Sequence, residues 1–384
     1  MQYEEIVHRC FRCGYCKFTS DYAAFNCPTY RKFRFETYSP GGRMWLIRAW
    51  LNNEIENSPR FQDIIFSCAT CANCVEHCVF AFSEDLVNIF MAAREELVNK
   101  GIIPPPVRDY LKNISISGNP YKEPVGDRGK WAEGTAVKPY EDQEYLFYVG
   151  DVGSYDERGR KIAKSVSDLL IRGGVSFGIL ADREICDGNE VKTLGEAGLF
   201  EYLAGQNISL FNELGVKKII TLDPHALNAF RKYYPALGGT FNVFHYSQIL
   251  LTLMQAKALL LHEYRAKVTY HDPCYLGRHN GEYETPRKIL RAIPGLQFVE
   301  MEEHGENAFC CGGGGGNFFT DILGGGVEAP NRVRIRQAVE TGAGVVAVAC
   351  PQCAKMLEDG LKAEELEDRL EVLDLAEILT RALA

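Results

Sequence analysis

Residues 306–317 read ENAFCCGGGGGN: two adjacent cysteines, Cys310 and Cys311, run straight into five glycines. Neighbouring cysteines are poor disulfide partners. A glycine run is flexible and costly to order. The combination makes sense where something holds both sulfurs and needs bare backbone beside them. Working outward, Cys274 lies 36 residues before Cys310, and Cys350-Pro351-Gln352-Cys353 begins 40 residues after it. These cysteines follow segments that read as strands.

Strands and helices alternate around this frame, and the order occurs twice. The second pass runs KVTYH, TPRKILRAI, LQFVEM, NRVRIRQAVETG and GVVAVA. The first runs YLFYVG, ERGRKIAKSVSDLLIRGG, VSFGIL, AGLFEYLAGQNISLFNELG and KKIITL. Such alternation predicts an α/β fold with a largely parallel sheet. The punctuation repeats too. Asp151, Cys186-Asp187-Gly188 and Asp223-Pro224-His225-Ala226 are spaced by 35 and 37 residues, matching the later intervals. We read a duplicated module of about 120 residues whose first copy kept its spacing and lost four of five cysteines.

The remaining cysteines crowd the N-terminal third. Cys10, Cys13 and Cys16 form C-x2-C-x2-C, followed after ten residues by Cys27-Pro28. Cys68, Cys71, Cys74 and Cys78 form C-x2-C-x2-C-x3-C. Three thiolates at this spacing wrap one face of a [4Fe–4S] cubane, and in two-cluster ferredoxins the fourth cysteine serves the other cluster. The expected sets are therefore Cys10, Cys13, Cys16 and Cys78, and Cys68, Cys71, Cys74 and Cys27. Structural zinc sites pair their cysteines and leave no use for triplets. Two departures from the pattern stand out: the ten-residue insertion KFTSDYAAFN, and Val79 where proline is usual. Helical spacing in GGRMWLIRAWLNNEI, and a helix from Glu84 to Lys100 capped by Ser83, predict an α-helical ferredoxin type. The Pro104–Pro106 run opens a Gly-, Pro- and charge-rich stretch that reads as a linker to residue 143. The expected domains are 1–103, the linker 104–143, a degenerate module 144–262 and an intact one 263–384.

The pattern C…CCG…C-P-x-C resembles the cysteine-rich CCG domain of heterodisulfide reductases and of glycolate and lactate oxidation iron–sulfur subunits. The order of two [4Fe–4S] motifs and two CCG modules resembles the D-type heterodisulfide reductase subunit over nearly the whole chain. That resemblance implies an α-helical ferredoxin-type domain followed by two α/β CCG modules. It also implies a noncubane [4Fe–4S] cluster on Cys274, Cys310, Cys311, Cys350 and Cys353, in place of a structural zinc. Proline after Cys350 puts Cys350 and Cys353 at a helix N-terminus, which suits an anionic group. The glycines would let backbone approach the cluster and leave room for a substrate or partner. Family disulfide reduction uses two noncubane clusters, so the losses in the first module favour electron relay. There, Asp151, Asp187, Asp223 and His225 belong to a scaffold whose carboxylates are solvated or cap helices, or Cys186, Asp187 and Asp223 bind a metal or polarise a substrate.

Composition sets outer limits. The chain is 46% hydrophobic and 24% charged with a net charge of −9, which argues against a nucleic-acid surface. Its 14 cysteines without an export signal read as metal or redox chemistry in a cytoplasmic protein. The longest apolar run, 249–264, is too short and polar to span a bilayer, so any membrane association would be peripheral and through a partner. No dinucleotide-binding glycine fingerprint is present, so flavin or NAD is expected on a flavoprotein or other redox partner, in keeping with anaerobic metabolism. Rival readings are a thiol/disulfide reductase and a subunit of a 2-hydroxyacid dehydrogenase or benzoyl-CoA reductase complex. His271 and His304 read as packing residues or proton donors, Arg278 as an anion or cluster partner or a surface residue, and His245 as structural.

Overall fold

The computed structural model describes residues 1–383. Up to residue 144 the regular elements are helices, chiefly Pro28–Phe33, Pro40–Leu51, Pro59–Phe66, Asn73–His77 and Leu86–Asn99. Proline at the first helical position and a serine cap start two of them: the side chains of Ser39 and Ser58 accept from the amides of Gly42 and Phe61. Ser83 behaves differently from expectation. It opens a 3-10 turn, Ser83–Asp85, ahead of Leu86–Asn99, and its side chain caps nothing.

Each module is a four-stranded, all-parallel sheet flanked by helices. The first sheet contains β1 (Tyr145–Tyr148), β2 (Phe177–Gly178), β3 (Lys218–Thr221) and β4 (Asn242–His245) in the order β2-β1-β3-β4. The second contains β5 (Lys267–Tyr270), β6 (Gln297–Phe298), β7 (Val345–Val348) and β8 (Glu371–Asp374) in the order β6-β5-β7-β8. The same order in both supports the duplication. The fourth strands, β4 and β8, lie outside the repeat as read from sequence.

The two modules bury their joint. Helix Glu157–Arg172 of the first packs on helices Pro351–Ala363 and Leu375–Ala382 of the second. Arg158 pairs with Glu358 and, at 2.5 Å, with Glu377. Tyr246 donates its hydroxyl to the Asp374 carboxylate at 2.7 Å.

The stretch 104–143 is not a plain linker. It contains the helix Pro105–Ser117, which buries Val107, Tyr110, Leu111 and Ile114, and Trp131 is buried further on. The proline run misleads because Pro105 and Pro106 occupy the first turn, where a missing amide costs nothing. Val107, Tyr110, Leu111 and Ile114 fall at i, i+3, i+4 and i+7, one face of a helix. Among the described residues no helix is long and apolar enough to cross a membrane.

Candidate metal centre

The sulfurs fall into three groups, the first inside the helical domain and the other two meeting at its joint with the second module. Cys10, Cys13, Cys16 and Cys78 line one apolar cavity with Met44, Phe80, Phe82 and Leu86. Cys13 is exposed and Cys16 buried. Cys74 is the centre of the second group. Burial pushes its thiol up, and the sulfurs of Cys68, Cys16, Cys71 and Cys27 add to that push. Cys27 sits at the start of helix Pro28–Phe33, within 3.4 Å of the Thr29 hydroxyl. Cys78 stands with Cys10, Cys13 and Cys16, while Cys27 neighbours Cys71 and Cys74 and also Cys16.

The third group is fully buried. Cys274 and Cys310 stand 3.9 Å apart, and Cys311 and Cys353 3.5 Å apart. Cys350 is the cap residue of helix Pro351–Ala363, and its sulfur accepts from the Cys353 amide at 3.4 Å. Hydrogen bonds from Cys310 and Cys353 hold the Cys311 thiol well below the ordinary thiol range. Five buried sulfurs without a disulfide fit a soft metal group. An orphan atom fits it too. His271 is buried, its Nδ1 accepts from Arg334 Nε at 3.1 Å, and its Nε2 has no partner. A ring nitrogen of His271 lies within 4.8 Å of the Cys311 and Cys353 sulfurs. Burial drives this imidazole's pKa down to about 3, so it is a neutral ring at physiological pH.

The glycine run has a second purpose that its sequence does not disclose. Gly313 and Gly314 line the thiol cavity. A Cβ on Gly314 would stand 2.5 Å from the Ala69 carbonyl oxygen, and one on Gly315 2.4 Å from that of Cys68. Gly316 has φ +81° and meets Leu194 of the first module. The run is therefore also the place where three parts of the chain close on each other. Arg94, fully buried, staples that junction: it donates to the carbonyls of Ile65, Phe66, Cys68, Thr193 and Gly315. Nothing in the local sequence singled out Arg94.

This closure sets the second and third sulfur groups against each other. Cys71 is packed with Cys274, Cys310, Tyr275 and Ala69 in one small buried cluster. The Cys71 thiol is pushed up first by its hydrogen bond with Cys310 and then by burial. Arg278 spans the same seam, donating to the Cys71 carbonyl at 3.4 Å, to Asn73 Oδ1 at 3.3 Å, and to the Glu306 and Ala308 carbonyls. Of the other expected residues, His245 caps helix Tyr246–Gln255 and is structural, and His304 bonds the Met301 carbonyl at its own turn.

The first module's counterpart site is filled by protein. Asp151, in the place of Cys274, pairs with Arg128 at 2.8 Å, and Arg128 pairs with Glu184 at 3.3 Å. Tyr110 is buried beside Cys186, Glu190, Asp151 and Asp187. Both Arg128 and Tyr110 come from the stretch 104–143. Asp223 accepts from the His225 amide at 2.8 Å and caps the short helix Pro224–Asn228, while Asp187 accepts from the Asn189 amide at 2.8 Å from just before the helix Asn189–Thr193, whose cap is Gly188. All three aspartates are buried or partly buried, not solvated. Among the described residues, the sets close enough for one ion are His271, Cys311 and Cys353, and Asp223, His225 and Cys350; Cys186 and Asp187 belong to neither.

The comparisons agree with this geometry. Residues 6–81 match the 4Fe-4S dicluster domain family, and residues 148–231 and 268–358 match the cysteine-rich CCG domain family. The chain is 38% identical over 84% of its length to the probable iron-sulfur-binding oxidoreductase FadF of Bacillus subtilis (strain 168), spanning 47% of that protein. It is 35% identical over 84% of its length to the EtfAB:quinone oxidoreductase of Syntrophomonas wolfei subsp. wolfei, again spanning 47%. The chain thus spans about half the length of these two relatives. It is also 31% identical over 97% of its length to the D-type subunit of the dihydromethanophenazine:CoB–CoM heterodisulfide reductase of Methanosarcina barkeri, spanning 93% of it. With a dicluster domain, two CCG modules and a relative matched nearly end to end, the chain belongs to the CCG-domain iron–sulfur oxidoreductase family of D-type heterodisulfide reductase subunits and FadF-like proteins.

Proposed function

We propose that this chain is an electron-relay subunit of a multisubunit redox complex. In this reading Cys10, Cys13, Cys16 and Cys78 hold one cubane, and Cys68, Cys71, Cys74 and Cys27 hold a second. Cys274, Cys310, Cys311, Cys350 and Cys353 hold a noncubane cluster. Bound clusters would take up and release single electrons. The chain's own work is to hold them in series, exclude water from the inner two, and leave the first near the surface at Cys13.

The observation that carries the reading is the contact of Cys71 with Cys274 and Cys310. A sulfur of the second set touches the third set directly, so no protein layer separates them. The exposed Cys13 at the far end supplies an entry point. The relative named EtfAB:quinone oxidoreductase supports an electron-transfer flavoprotein as the partner on one side. A cytoplasmic location is part of the same proposal, with any membrane contact made through a partner. A second reading, thiol/disulfide reduction, draws support from the near full-length match to the heterodisulfide reductase subunit. Against it stands the first module, whose site is occupied by Arg128 and Tyr110.

Cys71→Ser tests the series arrangement. The third cluster's spectrum should persist, while its reduction through the first two slows many-fold in anaerobic stopped-flow mixing. Unchanged reduction of the third cluster would exclude the second set as the intermediate.

A further inference from the structure

The first sulfur set is the one that reaches the surface, and its surroundings there differ from the rest of the chain. Cys13 is exposed. Phe11, between Cys10 and Cys13, is 77% exposed, and Val79, in the place of the usual proline after Cys78, is 58% exposed. The Phe11 ring packs against that of Phe80 with centroids 5.7 Å apart, and Phe80 shares the sulfur cavity with Arg12 and Cys13. The apolar patch is therefore continuous with the metal centre. Large apolar side chains grouped in water beside such a centre mark an interaction site.

Charge identifies the kind of partner. Residues 6–35 contain six lysines and arginines and a single acid, Asp21, in a chain whose net charge is −9. Arg9 and Arg12 are exposed. Arg12 lies over the Trp45 ring at 4.3 Å and Arg48 over the same ring at 4.8 Å, and the Trp45 indole donates to the Cys10 carbonyl at 2.8 Å. Two guanidiniums thus flank an indole that is bonded to a residue of the first set. Among the described residues up to 103, the ion pairs use the N-terminal amine, Lys17, Arg31 and Lys100, and leave Arg9, Arg12 and Arg48 without a carboxylate. The acids nearest in sequence are Glu4, Glu5 and Asp21. Glu4 faces the N-terminal amine at 3.4 Å, and Asp21 accepts within its own turn from Thr19 and Ala23.

We propose that this face docks an electron-carrier protein whose own redox group is ringed by acidic side chains. Phe11 and Val79 are covered at the centre, and Arg9, Arg12 and Arg48 meet the acidic ring, an apolar core with a charged rim. This rests on the reading of Cys10, Cys13, Cys16 and Cys78 as ligands of the first cluster. One electron passes from the reduced group of the carrier to that cluster, the carrier is oxidised by one electron, and no atom is transferred. An anionic lipid surface would attract the same side chains. It would also press the exposed Cys13 against a layer that supplies no electron, so the protein partner is the better fit.

The test uses the full chain with clusters installed anaerobically, and flavodoxin, a small acidic flavoprotein, as the probe. Reduced flavodoxin should reduce the first cluster at a rate that falls about tenfold or more between about 20 mM and about 300 mM salt. Arg9→Glu and Arg48→Glu should each slow that rate severalfold at low salt and weaken the binding of oxidised flavodoxin in titration calorimetry. Reduction by dithionite, which needs no docking, should stay near the wild-type rate in both. Phe11→Ser should slow the flavodoxin reaction at both salt concentrations. If Arg9→Glu, beside Cys10, loses iron, Arg48→Glu on helix Pro40–Leu51 decides. A rate indifferent to salt, or untouched by charge reversal, would overturn the docking face. If the wild-type chain then floats with vesicles of phosphatidylcholine and phosphatidylglycerol and Arg48→Glu does not, the face belongs to a membrane surface instead. A wild type in which dithionite develops no first-cluster signal is a different result: it removes the ligand assignment on which this inference stands.

Discussion

Cys311→Ser should abolish onward electron transfer while leaving both N-terminal clusters reducible by dithionite. Cys311 is the sulfur that receives hydrogen bonds from Cys310 and Cys353, and it stands 3.5 Å from the Cys353 sulfur at the centre of the set. A serine hydroxyl there is a hard, weakly acidic group in a set of soft thiolates. The eight cysteines of the first two sets all precede residue 79 and belong to the helical domain. Their spectra should therefore be unchanged. Electrons should enter at the first set, reach the second, and stop. Stopped-flow absorbance with a flavoprotein donor and an external acceptor reads both halves. Onward transfer at the wild-type rate would make the C-terminal thiol set structural.

Arg94→Ala should be the most damaging substitution away from the cysteines. Burial pulls this guanidinium's pKa down to about 10, still well above physiological pH, so the charged group sits in the interior supported by carbonyls. Its five carbonyl partners come from all three parts of the chain: Ile65, Phe66 and Cys68, then Thr193, then Gly315. Truncation leaves those acceptors without a donor and opens a cavity beside the glycine run. A loss on the order of 3–5 kcal/mol is expected, the range for a broken buried charged network. Anaerobic thermal unfolding should show it as a large fall in transition temperature. Because Gly315 and Cys68 lose their common donor, the third cluster's reduction through the second should slow as well. Arg94→Lys should rescue little, since an ammonium cannot reach carbonyls in so many directions. A transition temperature within error of wild type would mean the junction is held by packing alone.

Much of this fold is legible in the residues because its signals are local. Thiol spacings, strand–helix alternation and the repeated punctuation each lie within a few dozen residues. The misses have physical causes. The helix Pro105–Ser117 was hidden by prolines that occupy its first turn. Strands β4 and β8 run straight into the caps of the following helices, His245 and Asp374, and lie beyond the repeated punctuation that marks the other strands. The glycines after Cys311 announced close approach, but not that the approaching backbone is that of Cys68 and Ala69. The contact of Cys71 with Cys310, and the reach of His225 across the joint, join residues distant in the chain. No local pattern encodes them.

The relay stands or falls on how many clusters the chain holds. Iron and acid-labile sulfide should be determined on protein produced and purified without oxygen, alongside alkylation of accessible thiols. About twelve irons per chain are expected, four for each of three sets. Cys310 and Cys311 should be protected from alkylation, and Cys186 alone should remain a free thiol. About eight irons, with Cys310 and Cys311 open to the reagent, would contradict the third cluster and with it the relay.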